Sequence, residues 1–173
     1  MDINRVHPEL RKATASFPKL PVGSAFGRAL TRLLLPLLLP RAKAPAGVSI
    51  TWQKAPSGQK LRVYSPAGAN QKAALLYIHG GGMMIGAAKM DDVLLAGLAA
   101  DLDILVVSPE YRLAPENPYP SAIDDCNEAW HFMLNNAANL AIDTKRIAIG
   151  GESAGGGLAA GLSLIHISEP TRQ

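Results

Sequence analysis

Cysteine is nearly absent from this sequence, in which Cys126 is the single thiol among 173 residues. One cysteine excludes an intrachain disulfide framework and any metal site built on several thiolates. The first residues also lack the basic start, apolar middle and small-residue cleavage site of a secretory signal. We therefore expect a protein of the reducing cytoplasm.

Long apolar runs and basic runs are missing as well. The most apolar stretch, LLLPLLLP at 33–40, is interrupted by a proline and is much shorter than the roughly 20 residues that cross a bilayer. No membrane span is therefore predicted. The net charge is +3, and its modest basic cluster at 28–43 favours a solvated face over a nucleic-acid site. A hydrophobic fraction of 48% with 18% charged residues predicts a globular protein with an apolar core.

What the sequence does contain is a pattern of short strands and helices after a proline-rich start. Residues 1–45 consist of helical stretches separated by prolines, and we expect an irregular helical cap there. The alternating segments VSITW and LRVYS then flank a Pro/Gly turn and predict a hairpin. Three apolar runs predict strands buried on both faces: AALLYIH, ILVVSP and RIAIGG. Because helical segments separate these strands, we predict an α/β fold with a mostly parallel sheet.

The first of two glycine motifs is HGGG at 79–82, where the first buried strand ends. Consecutive glycines allow positive φ and let unshielded backbone N–H groups approach a ligand, so the motif predicts a cradle for negative charge. It is not a phosphate-binding P-loop, because no Lys-Ser or Lys-Thr pair follows the glycines. Taken alone, a flexible turn is a reasonable alternative interpretation.

The second motif is G-x-S-x-G at Gly151–Gly155, between the third buried strand and a helix. A serine on so tight a strand-to-helix turn presents its Oγ above the sheet, and its small neighbours let the turn close. The following helix directs its N-terminus, where negative charge is favoured, at the same point. The pattern is weak by itself, but together with HGGG it predicts that Ser153 is a nucleophile.

With these motifs in this order, the sequence resembles the hormone-sensitive-lipase branch of the α/β-hydrolases, a family that includes many microbial carboxylesterases. The resemblance covers roughly Pro8 to Gly161 and rests on YIHGGG, SPEYRLAPENPYPSAIDD and GGESAGGG. Three positions depart from the family pattern: Met83 replaces a common aromatic residue, Asn117 a common histidine and Glu152 a more frequent aspartate. We expect these departures to change the pocket lining more than the chemistry.

The resemblance implies a serine esterase that needs no metal or organic cofactor and acts on small-molecule esters with short to medium acyl chains. Ser153 would attack the ester carbonyl and form an acyl-enzyme. Backbone N–H groups of Gly81, Gly82 and Ala154 would hold the oxyanion. The stretch 108–125 would be a structural brace near the site. The remaining motif residues would have structural roles: His79, Gly80, Gly151 and Gly155.

In this family the acid and the histidine of the catalytic triad follow the serine in that order. After Ser153 the chain offers only His166 and Glu169, in reversed order. A continuing helix would also put His166 roughly 20 Å from the serine, so neither residue is assigned to the site. The closing LSLIHISEPTR, 162–172, resembles the translation of a transposon-end sequencing adapter. We hypothesise that the natural sequence stops near Gly161.

These inferences divide the chain into a helical cap at 1–45, a partial α/β-hydrolase domain at 46–161 and an adapter-derived tail at 162–173. The fold would be the N-terminal portion of an α/β-hydrolase, truncated after the nucleophile helix. The parent protein would be active and this chain inactive, with an apolar sheet edge exposed. Two alternatives stay open: an amidase, peptidase or lactonase that uses the same serine, or a non-catalytic small-molecule receptor.

Overall fold

The computed structural model describes residues 2–16, 20–38, 42–68 and 72–166. Within them the strands are β1 Val48–Lys54, β2 Lys60–Pro66, β3 Lys72–Ile78, β4 Leu105–Pro109 and β5 Ile142–Gly151. They form a five-stranded sheet in the order β1-β2-β4-β3-β5. The β1–β2 and β2–β4 pairs are antiparallel, whereas β3 pairs in parallel with both β4 and β5. The predicted hairpin and the predicted α/β sheet are therefore confirmed.

Helices lie on both faces of this sheet. In the described residues they are α1 Arg11–Ser16, α2 Ala25–Leu38, α3 Asp92–Leu102, α4 Ser121–Asn135, α5 Ala137–Leu140 and α6 Ala154–His166. Helix α3 packs on one face, and α4 and α6 pack together on the other. Successive strand residues point to opposite faces, so Val63 joins the core under α4 and α6 while Tyr64 joins the core under α3.

The centre of the sheet is buried and mostly apolar, with Ser108 of β4 as a buried polar residue. Strand β4 is buried along its whole length, and the side chains of Leu76 and Ile78 in β3 are inaccessible to solvent. A strand covered on both faces needs a near-continuous apolar sequence, which explains why two of the three apolar runs predict strands so well. The carboxyl ends of β3 and β5 lie side by side, because Ile78 is in register with Gly151. The two glycine motifs follow from these two strand ends.

The third apolar run differs from the expectation that it is buried on both faces. In β5 the side chains of Ile147 and Ile149 are only half-buried. The reason is its position at the edge of the sheet, where β3 is its single strand neighbour among the described residues. The other edge of β5 is consequently open in this part of the chain.

The N-terminal segment is helical, although its boundaries differ from the prediction. Pro36 was expected to separate two helical pieces, but it lies inside α2. It occupies the last turn of the helix, where one missing N–H donor disrupts little further structure. The expected interruptions at Pro18 and Pro40, and the tail from 167 onward, fall outside the described residues, while 162–166 continue α6. Among the described helices, none is long and apolar enough to cross a membrane.

Candidate active site

Ser153 lies at the junction between β5 and α6 and has a φ of 50°. A positive φ is uncommon for a residue with a Cβ and costs conformational energy, so the surrounding structure must hold it. The serine is exposed. Its strained backbone therefore presents a hydroxyl to solvent at the start of a helix, where negative charge is favoured.

Two glycines make this serine turn possible. A Cβ on Gly155 would come within 2.0 Å of the carbonyl oxygen of Ile78, and one on Gly151 within 2.6 Å of the same atom. These are backbone atoms at the end of β3, so a clash could not be relieved by rotating a side chain. The N–H of Glu152 donates to the Ile78 carbonyl at 3.3 Å. The serine turn, residues 151–155, is thus closed by direct backbone contact with β3.

The HGGG loop, residues 79–86, folds back on itself beside the serine turn. Gly81 and Gly82 have φ values of 110° and 64°. The N–H of Ile85 donates to the Gly81 carbonyl at 3.0 Å, and a Cβ on Gly81 would lie 2.1 Å from the Ile85 oxygen. The N–H groups of Gly81 and Gly82 donate to no other described residue. They are therefore available to an acceptor that enters from outside.

The structure brings the two motifs into contact. A Cβ on Gly155 would lie 2.5 Å from the His79 carbonyl oxygen, and one on Gly80 would lie 3.0 Å from Glu152 Oε1. As the first residue of α6, Ala154 has an N–H that the helix itself leaves without a partner. The serine hydroxyl, the N–H groups of the HGGG loop and the N-terminus of α6 therefore lie at one end of the sheet.

The side chain of His79, the first residue of the HGGG loop, is buried and is not exposed to an incoming ligand. Its ring stacks on Tyr111 with centroids 4.1 Å apart, and its Nδ1 lies 2.8 Å from the Gly80 carbonyl oxygen. A carbonyl can only accept, so Nδ1 carries the proton. Nε2 has no hydrogen-bond partner in the described part of the chain. Burial lowers the pKa of His79 to about 4, so the ring is neutral at pH 7.

The stretch 108–125 packs against this loop. The Tyr111 hydroxyl donates to the His79 carbonyl oxygen at 3.0 Å. Asp125, which is buried at the start of α4, accepts from the backbone N–H of Arg112 at 2.7 Å and from its guanidinium at 2.7 Å. These contacts hold the segment between β4 and α4 against the loop.

Arg32 makes a contact with the HGGG loop that sequence reasoning missed. The basic cluster at 28–43 was expected to be a solvated face, but the guanidinium of Arg32 reaches from α2 to the HGGG loop. Its Nε donates to the Met84 carbonyl at 2.8 Å, and its Nη2 donates to the Ala114 carbonyl at 2.7 Å. No local sequence pattern predicts such a contact, because the two carbonyls that Arg32 binds lie 52 and 82 positions away in the chain.

An apolar pocket opens beside the HGGG loop. It has a volume of about 360 Å³, and its walls come from the loop, from the segment 114–123 and from α6. Met83 and Asn117, two of the three positions that depart from the family pattern, both line it. Gly157 and Gly161 line it from α6, and the space next to Gly157 is open. A short apolar group bound near Ser153 would fit into this pocket.

The histidine and acid that Ser153 would need are not beside it in the described part of the chain. His166 lies at the far end of α6, where its Nε2 contacts Asn127 and its ring stacks on Trp130. Glu169 falls outside the described residues. Residues 2–16, 20–38, 42–68 and 72–166 also contain no group of three His, Cys, Asp or Glu side chains that could hold a metal ion.

Comparison with known proteins identifies the fold. Residues 75–172 match the family described as the alpha/beta hydrolase fold. The chain is 45% identical over 87 residues to an ethyl acetate hydrolase of Pseudomonas putida, covering 50% of this chain and 27% of that protein. It is 42% identical over 101 residues to carboxylesterase NlhH of Mycobacterium tuberculosis, covering 58% of this chain and 32% of the relative. A solved bacterial heroin esterase superposes with a TM-score of 0.84 at 37% identity, over 98% of this chain and 55% of that one.

The chain therefore belongs to the α/β-hydrolase fold family, as its two glycine motifs predict. The two relatives and the solved structure named above are an ethyl acetate hydrolase, a carboxylesterase and an esterase. The chain spans about a third of the length of the curated relatives that it matches and about half of the heroin esterase chain.

Proposed function

We propose that the complete protein is a serine carboxylesterase with Ser153 as its nucleophile. The observation that carries the proposal is the positive φ of Ser153, held at the N-terminus of α6 against the HGGG loop. Backbone strain of this kind persists only where the surroundings enforce it. Here it presents a hydroxyl next to unpaired backbone donors, which is the arrangement that acyl transfer requires.

In the proposed reaction, Ser153 Oγ forms a bond to the ester carbonyl carbon while its proton passes to a histidine. That histidine, and the acid that orients it, would come from a part of the protein outside the described residues. The carbonyl oxygen becomes negatively charged and is stabilised by N–H groups of Gly81, Gly82 and Ala154. The histidine gives this proton to the departing alcohol, which leaves an acyl-serine, and water then releases the acid and restores the serine hydroxyl.

We propose short to medium acyl esters as the substrates. The pocket of about 360 Å³ has apolar walls and room for a small apolar group. Similar proteins are named for ethyl acetate and for aryl esters, which are consistent with a pocket of this size. The proposal needs no metal and no organic cofactor. A reducing cytoplasmic location, inferred from the lone Cys126, is likewise a proposal.

The test uses the full-length protein, obtained by recovering the complete gene, with p-nitrophenyl esters of graded acyl length. Ser153→Ala should lower kcat by more than about 1,000-fold, because the nucleophile is lost. The matched control is Ser49→Ala, the same change at an exposed serine of β1, which should keep full turnover. Undiminished hydrolysis by the Ser153→Ala variant would overturn the assignment. Absent turnover by the wild-type protein, with ligand binding retained, would favour a receptor.

The 173-residue chain itself should show no turnover, since among the residues described the His79 ring is buried against Tyr111 and the His166 ring lies at the far end of α6. The adapter hypothesis for 162–172 has its own test in the coding DNA. Codons that differ from the adapter sequence across this stretch would refute it.

A further inference from the structure

We propose that Arg32 is a positioning residue that holds the HGGG loop in the geometry needed for transition-state stabilisation. This inference rests on the proposed function, because stabilisation of a transition state by the loop can be measured only through ester hydrolysis. Arg32 does not touch the reacting atoms. It would act through the backbone of the loop that carries the N–H groups of Gly81 and Gly82.

The need for such a residue follows from the loop itself. Glycine populates many backbone conformations, so a glycine-rich turn loses much entropy when it is held in one of them. The loop contains four residues with positive φ, and one of these, Met83, carries a side chain. Its internal hydrogen bonds run from Met84 and Ile85 to the Gly81 carbonyl. These bonds close the turn but do not fix it relative to the rest of the molecule.

Arg32 supplies an external connection at the closing end of that turn. The carbonyl of Met84 accepts from Arg32 Nε at 2.8 Å, and the N–H of the same residue donates to Gly81 at 3.1 Å. The guanidinium contact therefore lies on the peptide unit adjacent to the one that bonds to Gly81. A hydrogen bond from a charged donor is shorter and stronger than one from a neutral donor.

The same guanidinium also holds the neighbouring segment. Arg32 Nη2 donates to the Ala114 carbonyl at 2.7 Å and to Glu116 Oε2 at 2.9 Å, while the Ala114 N–H donates to the Met83 carbonyl at 2.8 Å. Arg32 thus ties helix α2, the HGGG loop and the segment at 114–116 into one unit. Met83 and Ala114 also line the apolar pocket beside the loop.

Helix α2 offers an internal control for this proposal. Arg28 lies about one turn earlier on the helix, pairs with the same Glu116 at 3.7 Å and donates to the Val22 carbonyl. It makes no hydrogen bond to the HGGG loop. Removing Arg28 therefore removes the same charge from the same helix, but leaves the loop contact intact.

The experiment compares Arg32→Ala, Arg32→Lys and Arg28→Ala in the full-length protein with p-nitrophenyl esters. Arg32→Ala should lower kcat by roughly 10- to 100-fold, the loss that a displacement of about 1 Å can cause, with KM changed less than about twofold. Arg32→Lys should lie between wild type and alanine, because an ammonium lacks the planar fork that reaches two carbonyls. Arg28→Ala should stay within about twofold of wild type.

A second readout separates positioning from unfolding. Prolonged labelling with an aryl phosphonate, which bonds to the serine, should reach the same final stoichiometry in wild type and both Arg32 variants. A lower labelled fraction with normal turnover per labelled site would indicate misfolding and would overturn the proposal. Equal losses of kcat in Arg28→Ala and Arg32→Ala would also overturn it.

Two controls keep the outcomes distinguishable. Should Arg32→Ala fail to fold, Arg32→Lys is compared with Arg28→Lys. The kcat of Arg32→Lys is then expected to be the lower of the two. Turnover that vanishes in Ser153→Ala but stays within about twofold of wild type in every Arg32 variant would refute the role of Arg32 alone. Turnover that survives in Ser153→Ala would refute the proposed nucleophile instead.

Discussion

The two glycine turns at the end of the sheet are built in different ways. The serine turn is closed by backbone contact with the end of β3, since the glycines at 151 and 155 lie against the Ile78 carbonyl with no room for a Cβ. The HGGG loop is held from outside, by Arg32 from an earlier helix and by Tyr111 from a later segment. One turn is fixed by backbone contact with a neighbouring strand, and the other by side chains from two other elements.

This difference determines what can damage each turn. A turn that depends on backbone contact cannot adjust to an added methyl group, because no side chain can rotate away. A loop that depends on hydrogen bonds from other elements loses those bonds one at a time, and each costs a modest amount. The serine turn should therefore fail abruptly when a Cβ is added, whereas the HGGG loop should weaken in steps as its external side-chain contacts are removed.

The largest effect is expected for Gly155→Ala. The new Cβ would come within 2.0 Å of the Ile78 carbonyl oxygen, so either β3 or the start of α6 must move. We expect the free energy of unfolding to fall by at least about 3 kcal/mol. Ester turnover by the full-length protein should be lost as well. Chemical denaturation and p-nitrophenyl ester assays measure the two quantities.

The matched control for that change is Gly157→Ala in the same helix. No atom lies within 4 Å of a Cβ at this position, and alanine favours a helix more than glycine does. Its stability should therefore equal or slightly exceed that of wild type. Similar losses in both variants would show that close backbone contact is not what the serine turn requires.

Much of this architecture is predictable from the sequence because it depends on local patterns. Strands β3 and β4 are buried on both faces, so their apolar runs could be identified without knowledge of any partner. The serine turn was predictable as well, because G-x-S-x-G between a strand and a helix is a local pattern, even though its glycines are required by contact with the distant Ile78. Both motifs consequently predict the end of the sheet where the candidate site lies.

The parts that were not predictable depend on position within the whole molecule. The apolar run of β5 looks like those of the central strands, yet β5 lies at the sheet edge and is half-buried. The charges at 28–43 suggest a solvated face, yet Arg32 contacts carbonyls 52 and 82 positions away. Neither outcome leaves a signal within a window of neighbouring residues.

A second effect should appear in the pH dependence of stability, and it concerns the HGGG loop. The pKa of His79 is lowered from 6.5 to about 4 by burial, so the folded state binds a proton less readily than the unfolded state. This contribution to stability is complete above pH 6.5 and is lost as pH falls to about 4. It amounts to about 3 kcal/mol. Denaturant titrations between pH 4 and 7 measure it.

Variants at two histidines isolate that contribution. His79→Gln cannot titrate and should flatten the change in stability between pH 6.5 and 4, whatever its stability at pH 7. His7→Gln alters an exposed ring near the N-terminus and should keep the wild-type slope. An unchanged slope in His79→Gln would mean that the buried ring is not the titrating group.

The smallest effect is expected for Tyr111→Phe, which removes one external hydrogen bond and keeps the stacked ring. The lost hydroxyl donates to the His79 carbonyl at 3.0 Å inside the core, so we expect about 1 kcal/mol of lost stability. Tyr119→Phe is the matched control, because Tyr119 is 90% exposed and should change stability by less than about 0.5 kcal/mol. Equal values in denaturant titrations would contradict the view that Tyr111 supports the loop. A loss like that of Gly155→Ala would erase the distinction between the two turns, since a single external contact would then matter as much as the closed backbone.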